Sequence, residues 1–449
     1  MLTRTLLALS RGIRVTPDHL ARLVDHVPPW VIRRVARARL LRTLEHVYFN
    51  SPAQRERWNR TGIKISDLRS PEVLPHIPLT TGSDLIEHPE DFLCVPREKL
   101  IHVVNTTGTK GRPKRVYLTA QDLEQHLSII GSHFLRLPGP ARALVMLSMR
   151  LPGWASPEVT KRAFRKAGLF VVLSGTEHSP HEQMAAIREH NINLLLTAPT
   201  YLRRLTLEAD CDPKTLGVRY VFLGTQPWPE ELRTEMEKTW GATLIDSYGS
   251  AETLFGFAAE CDRQNGLHVP ETEFWLEVVD PVSGEVLPDG EEGELIITTL
   301  SRVGMPLVRY RTGDIAHLLP REGRCACGLP FRKMSRVRGR WDDLLIVGVG
   351  TNVYPDSIDA AVMSVPGVTD YQIVVEKDSY RDALRVTVEH DGEGTGLRDA
   401  VVKALLTIRE IRDGCEDSRT IVIDRFEVVP PGTLSAGRPK SNRIVDRRG

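Results

Sequence analysis

The chain has 449 residues, 41% hydrophobic and 26% charged, a globular composition too long for one ordinary domain. A formal charge of +1 removes any electrostatic case for nucleic acid or an anionic membrane surface, and no apolar run is long enough to span a bilayer. Six cysteines in a chain of this size do not make a disulfide framework, so the reducing cytoplasm is the expected compartment.

Residues 1–36 read as a basic helical extension without a motif. Arg4, Arg11 and Arg14 run through and beyond its apolar patch, so it is not read as a secretory signal. From Ala141 onward, apolar strands alternate with amphipathic helices. Strands are expected over ARALVMLSM, FVVLSG (170–175), INLLLTA (192–198), RYVFLG (219–224) and ATLIDSYG. Helices are expected over HEQMAAIREH, YLRRLTLEA and PEELRTEMEKTW. This alternation predicts α/β layering with largely parallel pairing. After Asn265, FWLEVVDPVSGEVLPDGEEGELIITTL reads as strands joined by Gly/Pro/Asp turns, hence a β unit. YQIVVEKD, LRVTVEH, a helix over LRDAVVKALLTIREI, and TIVIDRFEVVP make a small α+β module. The charged segment RVRGRWDD (336–343) lacks apolar periodicity and suits a linker. The expected class is therefore α/β plus α+β, with a large domain at 1–341 and a small one at 342–449.

Val104 to Thr119, VNTTGTKGRPKRVYLT, has the chemistry of a phosphate cradle. Gly108 and Gly111 let backbone N–H groups approach a polyphosphate, Thr106, Thr107 and Thr109 add hydroxyls, and Lys110, Arg112 and Lys114 add charge. It is not a Walker A loop. GTQPW (224–228) and YGSAE (248–252) follow predicted strands, where α/β sheets bind ligands. RYRTGD (309–314), RVRGRWDDLLIVGVGTNV (336–353) and the basic tail AGRPKSNRIVDRR (436–448) complete the series. Each alone fits a turn or a solvated face, and their order carries the weight.

In that order the motifs resemble the adenylate-forming superfamily of acyl-CoA synthetases and peptide-synthetase adenylation domains, most of all the phenylacetate–CoA ligase family. The family's SSGTTGKP stands here as TTGTKGRP, its GAEPW as GTQPW and its YGLSE as YGSAE. RTGD and GR-DD are unchanged, and NVYP follows at 352–355. The early segment SPAQRERWNRTGI is also similar, and the likeness runs from about residue 38 to the end.

The resemblance implies a large N-terminal domain, a small mobile C-terminal domain, and a two-step reaction. A carboxylate attacks the α-phosphate of ATP to give an acyl-adenylate, and a thiol, usually that of coenzyme A, then displaces AMP. It implies that Thr106, Thr107, Gly108, Thr109, Gly111 and Lys114 hold the β- and γ-phosphates. Gly224, Gln226 and Pro227 would line the adenine pocket. Tyr248, followed by Gly249 in the nucleotide site, would stack on adenine or border the acyl pocket. Glu252 would ligate Mg²⁺, and Asp314, with Arg336 second, would take the ribose hydroxyls. Lys440 would bridge carboxylate and α-phosphate, with Glu252 and Arg340 in the catalytic group, and Asp342 would be the hinge. The expected substrate is an aryl or arylalkyl acid, with Trp154, Trp228 and Tyr248 as candidate lining. Dimerisation is an expectation at family level only.

Cys261 and His268 form C-x6-H, and Cys325 and Cys327 form C-x-C in the turn GRCACG. A Cys₃His set suits a closed structural Zn²⁺ site, and some members of the resembled family carry zinc in this region. Two other readings stay open. One is the same adenylation with a carrier-protein thiol or an amine as acceptor. The other is a non-catalytic nucleotide-binding homologue, against which the retained Glu252, Asp314, Arg340 and Lys440 speak.

Overall fold

The protein is seen here as a computed structural model. It describes residues 27–105, 113–134, 141–146, 157–175, 178–225, 227–228, 230–321, 323–341, 345–347, 351–378, 381–390, 392, 396–416, 419–434 and 443–448. Helix α1 (Pro29–Asn50) places Val31, Ile32, Val35, Ala36, Leu40, Leu44 and Val47 at spacings of three and four, so one face is buried. Ser51 ends it and caps α2 (Pro52–Arg60), its Oγ accepting from the Gln54 N–H at 3.3 Å. Thr81 and Asp84 form a capping box for α3 (Gly82–Glu87). Strands β1 (Leu100–Asn105) and β2 (Arg115–Thr119) pair antiparallel with Asn105 opposite Arg115. Helix α4 (Ala120–Phe134) follows β2.

The largest sheet has eight strands. Five are parallel: β3 (Arg142–Met146), β4 (Phe170–Leu173), β5 (Leu194–Thr197), β6 (Tyr220–Leu223) and β7 (Thr243–Ser250). Helices α5 (Pro157–Lys166), α6 (Pro180–Glu189), α7 (Pro199–Leu207) and α8 (Glu230–Trp240) connect them. All four residues of β5 are buried, as a parallel strand covered on both faces requires. Beyond β7 the pairing turns antiparallel through β8 (Phe255–Ala259) and β9 (Leu267–His268), and β13 (Lys333–Met334) closes that edge. The predicted β unit is a separate antiparallel sheet, β10 (Phe274–Val279), β11 (Gly293–Thr299), β12 (Tyr310–Ala316) and β14 (Gly339–Arg340), in that order. Arg39 of α1 donates to Thr272 O at 2.7 Å and the Thr43 hydroxyl to Leu300 O at 2.8 Å, which ties the first helix to this sheet.

A distinct C-terminal domain has its own core, drawn from residues between Leu345 and Ile421. A hairpin of β15 (Leu345–Val347) and β16 (Thr351–Val353) leads into α9 (Pro355–Met363). Strands β17 (Val368–Asp378) and β18 (Arg381–His390) pair antiparallel, and β19 (Ile421–Val429) lies parallel to β18. The helix expected over residues 397–411 is two, α10 (Leu397–Leu405) and α11 (Arg409–Glu416). At the break the Thr407 hydroxyl donates to Ala404 O at 2.6 Å, and the turn lets Leu405, Ile408 and Ile411 all reach the core. The basic tail is not only a solvated face. It holds β20 (Ile444–Asp446), parallel to β17 at Ile373–Val375. No helix among the described residues is long and apolar enough to cross a membrane.

Candidate active site

Strand alternation delivers two candidate groups from β12. Tyr310, Thr312 and Asp314 face the interior, while Arg311 points the other way and its Nε donates to Glu294 Oε2 at 2.8 Å. Asp314 stands opposite Arg340 in the β12–β14 pairing, with Arg340 Nη1 3.3 Å from Asp314 Oδ1. The Tyr248 hydroxyl, at the end of β7, donates to Asp314 Oδ2 at 2.6 Å. Burial first, then the Asp314 charge, pushes the Tyr248 phenol well above its usual range, so it keeps the proton it donates.

Glu252 is buried beyond β7. It is ion-paired with Lys114, and its Oε1 accepts from the Tyr310 hydroxyl at 2.7 Å. Lys114 Nζ also donates to Tyr310 Oη at 3.0 Å. Burial alone would raise the Glu252 carboxyl. The Lys114 charge and its hydrogen bond, with the bond from Tyr310, outweigh burial and hold it below its usual range. Arg302 Nη2 fixes the Glu252 carbonyl at 2.8 Å. Burial pulls the Arg302 guanidinium down to about 10, against the nearby Asp122 and Glu252 charges. Tyr310 is itself held through its neighbours: Thr80 N donates to Arg309 O at 2.9 Å and Arg311 N to Thr80 O at 2.8 Å.

Gly224 and Pro227 follow β6, as expected for residues beyond the carboxyl end of a parallel strand. Trp228 is buried in the core with its indole N–H on Asp246 Oδ1 at 3.1 Å. Arg336 lies 4.0 Å from the Trp228 ring. It donates to Asp246 Oδ2 at 2.8 Å, Trp228 O at 2.6 Å and Glu230 Oε2 at 2.9 Å. Arg336 therefore braces Trp228 and Glu230, and Arg340 rather than Arg336 is the arginine beside Asp314. Gly249 lies in β7 between Tyr248 and Ser250. The structure thus brings Lys114, Tyr248, Glu252, Asp314 and Arg340 together from four distant segments. Thr106, Thr107, Gly108, Thr109, Gly111, Trp154, Gln226, Asp342 and Lys440 lie outside the described residues. Sequence reasoning missed Tyr310, Asp246 and Arg302. Asp246 had a signal, a carboxylate inside the apolar run ATLIDSYG.

A second cluster lies at the far edge of the large sheet. Pairing of β9 with β13 brings the C-x-C turn beside His268, and the ligand atoms of Cys261, His268, Cys325 and Cys327 lie within 4.8 Å of one another. Cys325 N donates to Leu329 O at 3.0 Å and Gly328 N to Cys325 O at 2.8 Å, which shapes that turn. Cys327 Sγ is 3.4 Å from His268 Nε2. Hydrogen bonding to Cys327, against burial and helped by His268, pulls the Cys261 thiol down to about 3. Three closely held thiols and an imidazole are the donor set of a tetrahedral metal site.

A family model for "AMP-binding enzyme" matches residues 34–301, and one for "AMP-binding enzyme C-terminal domain" matches residues 350–448. The phenylacetate-coenzyme A ligase of Aromatoleum evansii is 30% identical over 428 residues, covering 93% of this chain and 94% of that protein. That of Thermus thermophilus is 31% identical over 444 residues, covering 95% and 98%. Among solved structures, a 2-hydroxyisobutyryl-CoA ligase in complex with 2-HIB-AMP superposes with a TM-score of 0.77 at 21% identity, covering 93% of this chain and 89% of that one. This last likeness speaks for the fold alone. With both parts of the chain matched and near-full-length relatives at this identity, the chain belongs to the AMP-binding enzymes, in the phenylacetate–coenzyme A ligase family of AMP-forming acid–thiol ligases.

Proposed function

We propose that this chain activates an aromatic carboxylic acid, aryl or arylalkyl, as its acyl-adenylate and transfers the acyl group to coenzyme A. The observation that supports this best is the convergence of Lys114, Glu252, Asp314 and Arg340 from four distant segments. In the first step a carboxylate oxygen attacks the α-phosphorus of ATP, the bond to the bridging oxygen breaks, and pyrophosphate leaves. In the second the thiolate of coenzyme A attacks the acyl carbonyl and AMP leaves.

Asp314 would take the ribose hydroxyls. A carboxylate offers about four acceptor sites, and Asp314 is already oriented by Tyr248 and Arg340. Lys114 would turn from Glu252 to the phosphates, joined by Thr106, Thr107, Gly108, Thr109 and Gly111. The Glu252 carboxylate, which accepts from Tyr310 and pairs with Lys114, would also give an oxygen to Mg²⁺. The ion would neutralise charge on the phosphate oxygens. Gly224, Gln226, Pro227 and Gly249 would border the adenine, and Trp154, Trp228 and Tyr248 are the candidate acyl lining. Lys440 would meet the charge that builds on the α-phosphate. Asp342 would be the hinge of the C-terminal domain, from residue 342 on. Cys261, His268, Cys325 and Cys327 would hold a structural Zn²⁺ and leave no open position for chemistry. Six cysteines in a chain of this size fit a cytoplasmic protein.

Release of AMP and pyrophosphate from ATP and Mg²⁺, measured over a panel of aromatic acids with and without coenzyme A, tests this. Turnover that requires one acid and coenzyme A is expected. Adenylation that coenzyme A does not accelerate would move the acceptor to a carrier-protein thiol or an amine. No adenylation and no ATP binding would leave a non-catalytic homologue.

A further inference from the structure

Two buried phenols reach across to each other's motif. Tyr248 of YGSAE donates to Asp314 of RYRTGD at 2.6 Å, and Tyr310 of RYRTGD donates to Glu252 of YGSAE at 2.7 Å. The two segments belong to different sheets, β7 to the eight-stranded one and β12 to the four-stranded one. No ladder between these two strands sets their separation. The crossed bonds tie them through side chains, four residues apart on each segment. Neither phenol is free to wander: Tyr248 is 9% exposed and Tyr310 is 2% exposed. Tyr248 packs edge-on against Phe257 at 5.5 Å, and the backbone flanking Tyr310 is bonded to Thr80 on both sides.

We propose that Tyr310 and Tyr248 are positioning residues that set the spacing of Glu252 and Asp314, and so the span between the metal–phosphate end and the ribose end of the nucleotide. This rests on the roles given above to Glu252 and Asp314. The division of labour is specific. Tyr310 aims the Glu252 carboxylate, because its hydroxyl accepts from Lys114 and donates to the same carboxylate oxygen that Lys114 pairs with. Tyr248 aims Asp314 against the pull of Arg340 on its other oxygen. Each phenol therefore governs one end of the nucleotide, and the ends can be read separately.

The experiment compares the full-length wild type with Tyr310→Phe, Tyr248→Phe and Glu252→Gln. It measures the Mg²⁺ dependence of pyrophosphate release, with KM and kcat for ATP kept apart, and AMP affinity by calorimetry without Mg²⁺. AMP carries the ribose but no β- or γ-phosphate. Tyr310→Phe should raise the half-saturating Mg²⁺ about tenfold, the scale of one lost hydrogen bond to a charged group, with AMP affinity unchanged. Tyr248→Phe should weaken AMP by a similar factor and leave the Mg²⁺ dependence alone. A merely structural phenol would lower stability and move both readouts together or neither, and that result overturns the proposal. If Glu252→Gln shifts the Mg²⁺ dependence and Tyr310→Phe does not, the brace fails while the site reading stands. If Glu252→Gln shifts nothing, the metal role of Glu252 fails first. Should Tyr310→Phe not fold, the Tyr248→Phe arm decides: a shifted Mg²⁺ dependence or unchanged AMP affinity overturns the proposal.

Discussion

Gly313 shows how closely the backbone follows the site. Its φ is +77°, and a Cβ there would lie 2.5 Å from Arg340 Nη2, so the arginine crosses the strand over the glycine to reach Asp314. Gly313→Ala therefore has two separable effects. An L-residue in this left-handed region costs on the order of 1–2 kcal/mol, which denaturant unfolding would report. The methyl also displaces Arg340, whose end can move, so Asp314 loses its cation. We expect KM for ATP to rise several-fold with a smaller change in kcat. An unchanged KM would mean that Arg340 does not serve the nucleotide through Asp314. The buried carboxylates differ in the same local way. Asp246 and Glu252 both lie deep, yet burial raises the first against Arg336, while Lys114 and Tyr310 carry the second below its usual range. Charge and hydrogen bonding, more than depth, separate a structural from a candidate functional acid here.

Among the elements, the parallel strands were legible because strands covered on both faces write continuous apolar runs, as in LLLT and YVFL. The short antiparallel pairings were not. β9, β13 and β14 have two residues each, too few for a period, and they exist only through their partners. That is why the Tyr310–Glu252 bond escaped the sequence: Tyr310 inside RYRTGD is an ordinary residue for a strand until the second sheet sets it beside YGSAE. The cysteine and histidine spacing fared better, since C-x6-H and C-x-C each hold ligands close locally and only one strand pairing was needed to join them. If the cluster is a zinc site, protein purified without chelator should carry the metal. Chelation, or Cys325→Ser, should then lower the melting temperature and loosen the β8–β9–β13 edge while AMP binding persists. Metal analysis and a thermal scan check this, and zinc-free protein with an unchanged melting temperature would exclude the assignment.

At the scale of the molecule, the helix that opens the C-terminal domain is held at both ends by the large domain. At its start, Arg338 lies 4.1 Å from the Tyr354 ring, and a Cβ on Gly339 would come within 2.9 Å of Pro355. At its end, Arg203 of α7 donates to Met363 O at 2.7 Å. Arg203 is only 6% exposed, so this is a buried guanidinium bonded to a carbonyl at a helix C-terminus, where positive charge is favoured. The first contact lies near the proposed hinge at residue 342. The second lies a whole helix away, where a rotation about that hinge would displace the helix most. Arg203 should therefore weight this arrangement of the domains against any other that the reaction visits. Arg203→Ala is predicted to change the ratio of two rates. One is pyrophosphate exchange, which reads adenylation, and the other is single-turnover thioester formation from preformed acyl-adenylate. A hydrogen bond from a charged donor is worth roughly 1.5–3 kcal/mol, so the ratio should move by about one to two decades, with acid and ATP affinities little changed. Equal losses in both rates would instead make Arg203 a general support of the fold, and unchanged rates would mean that its bond survives the whole cycle.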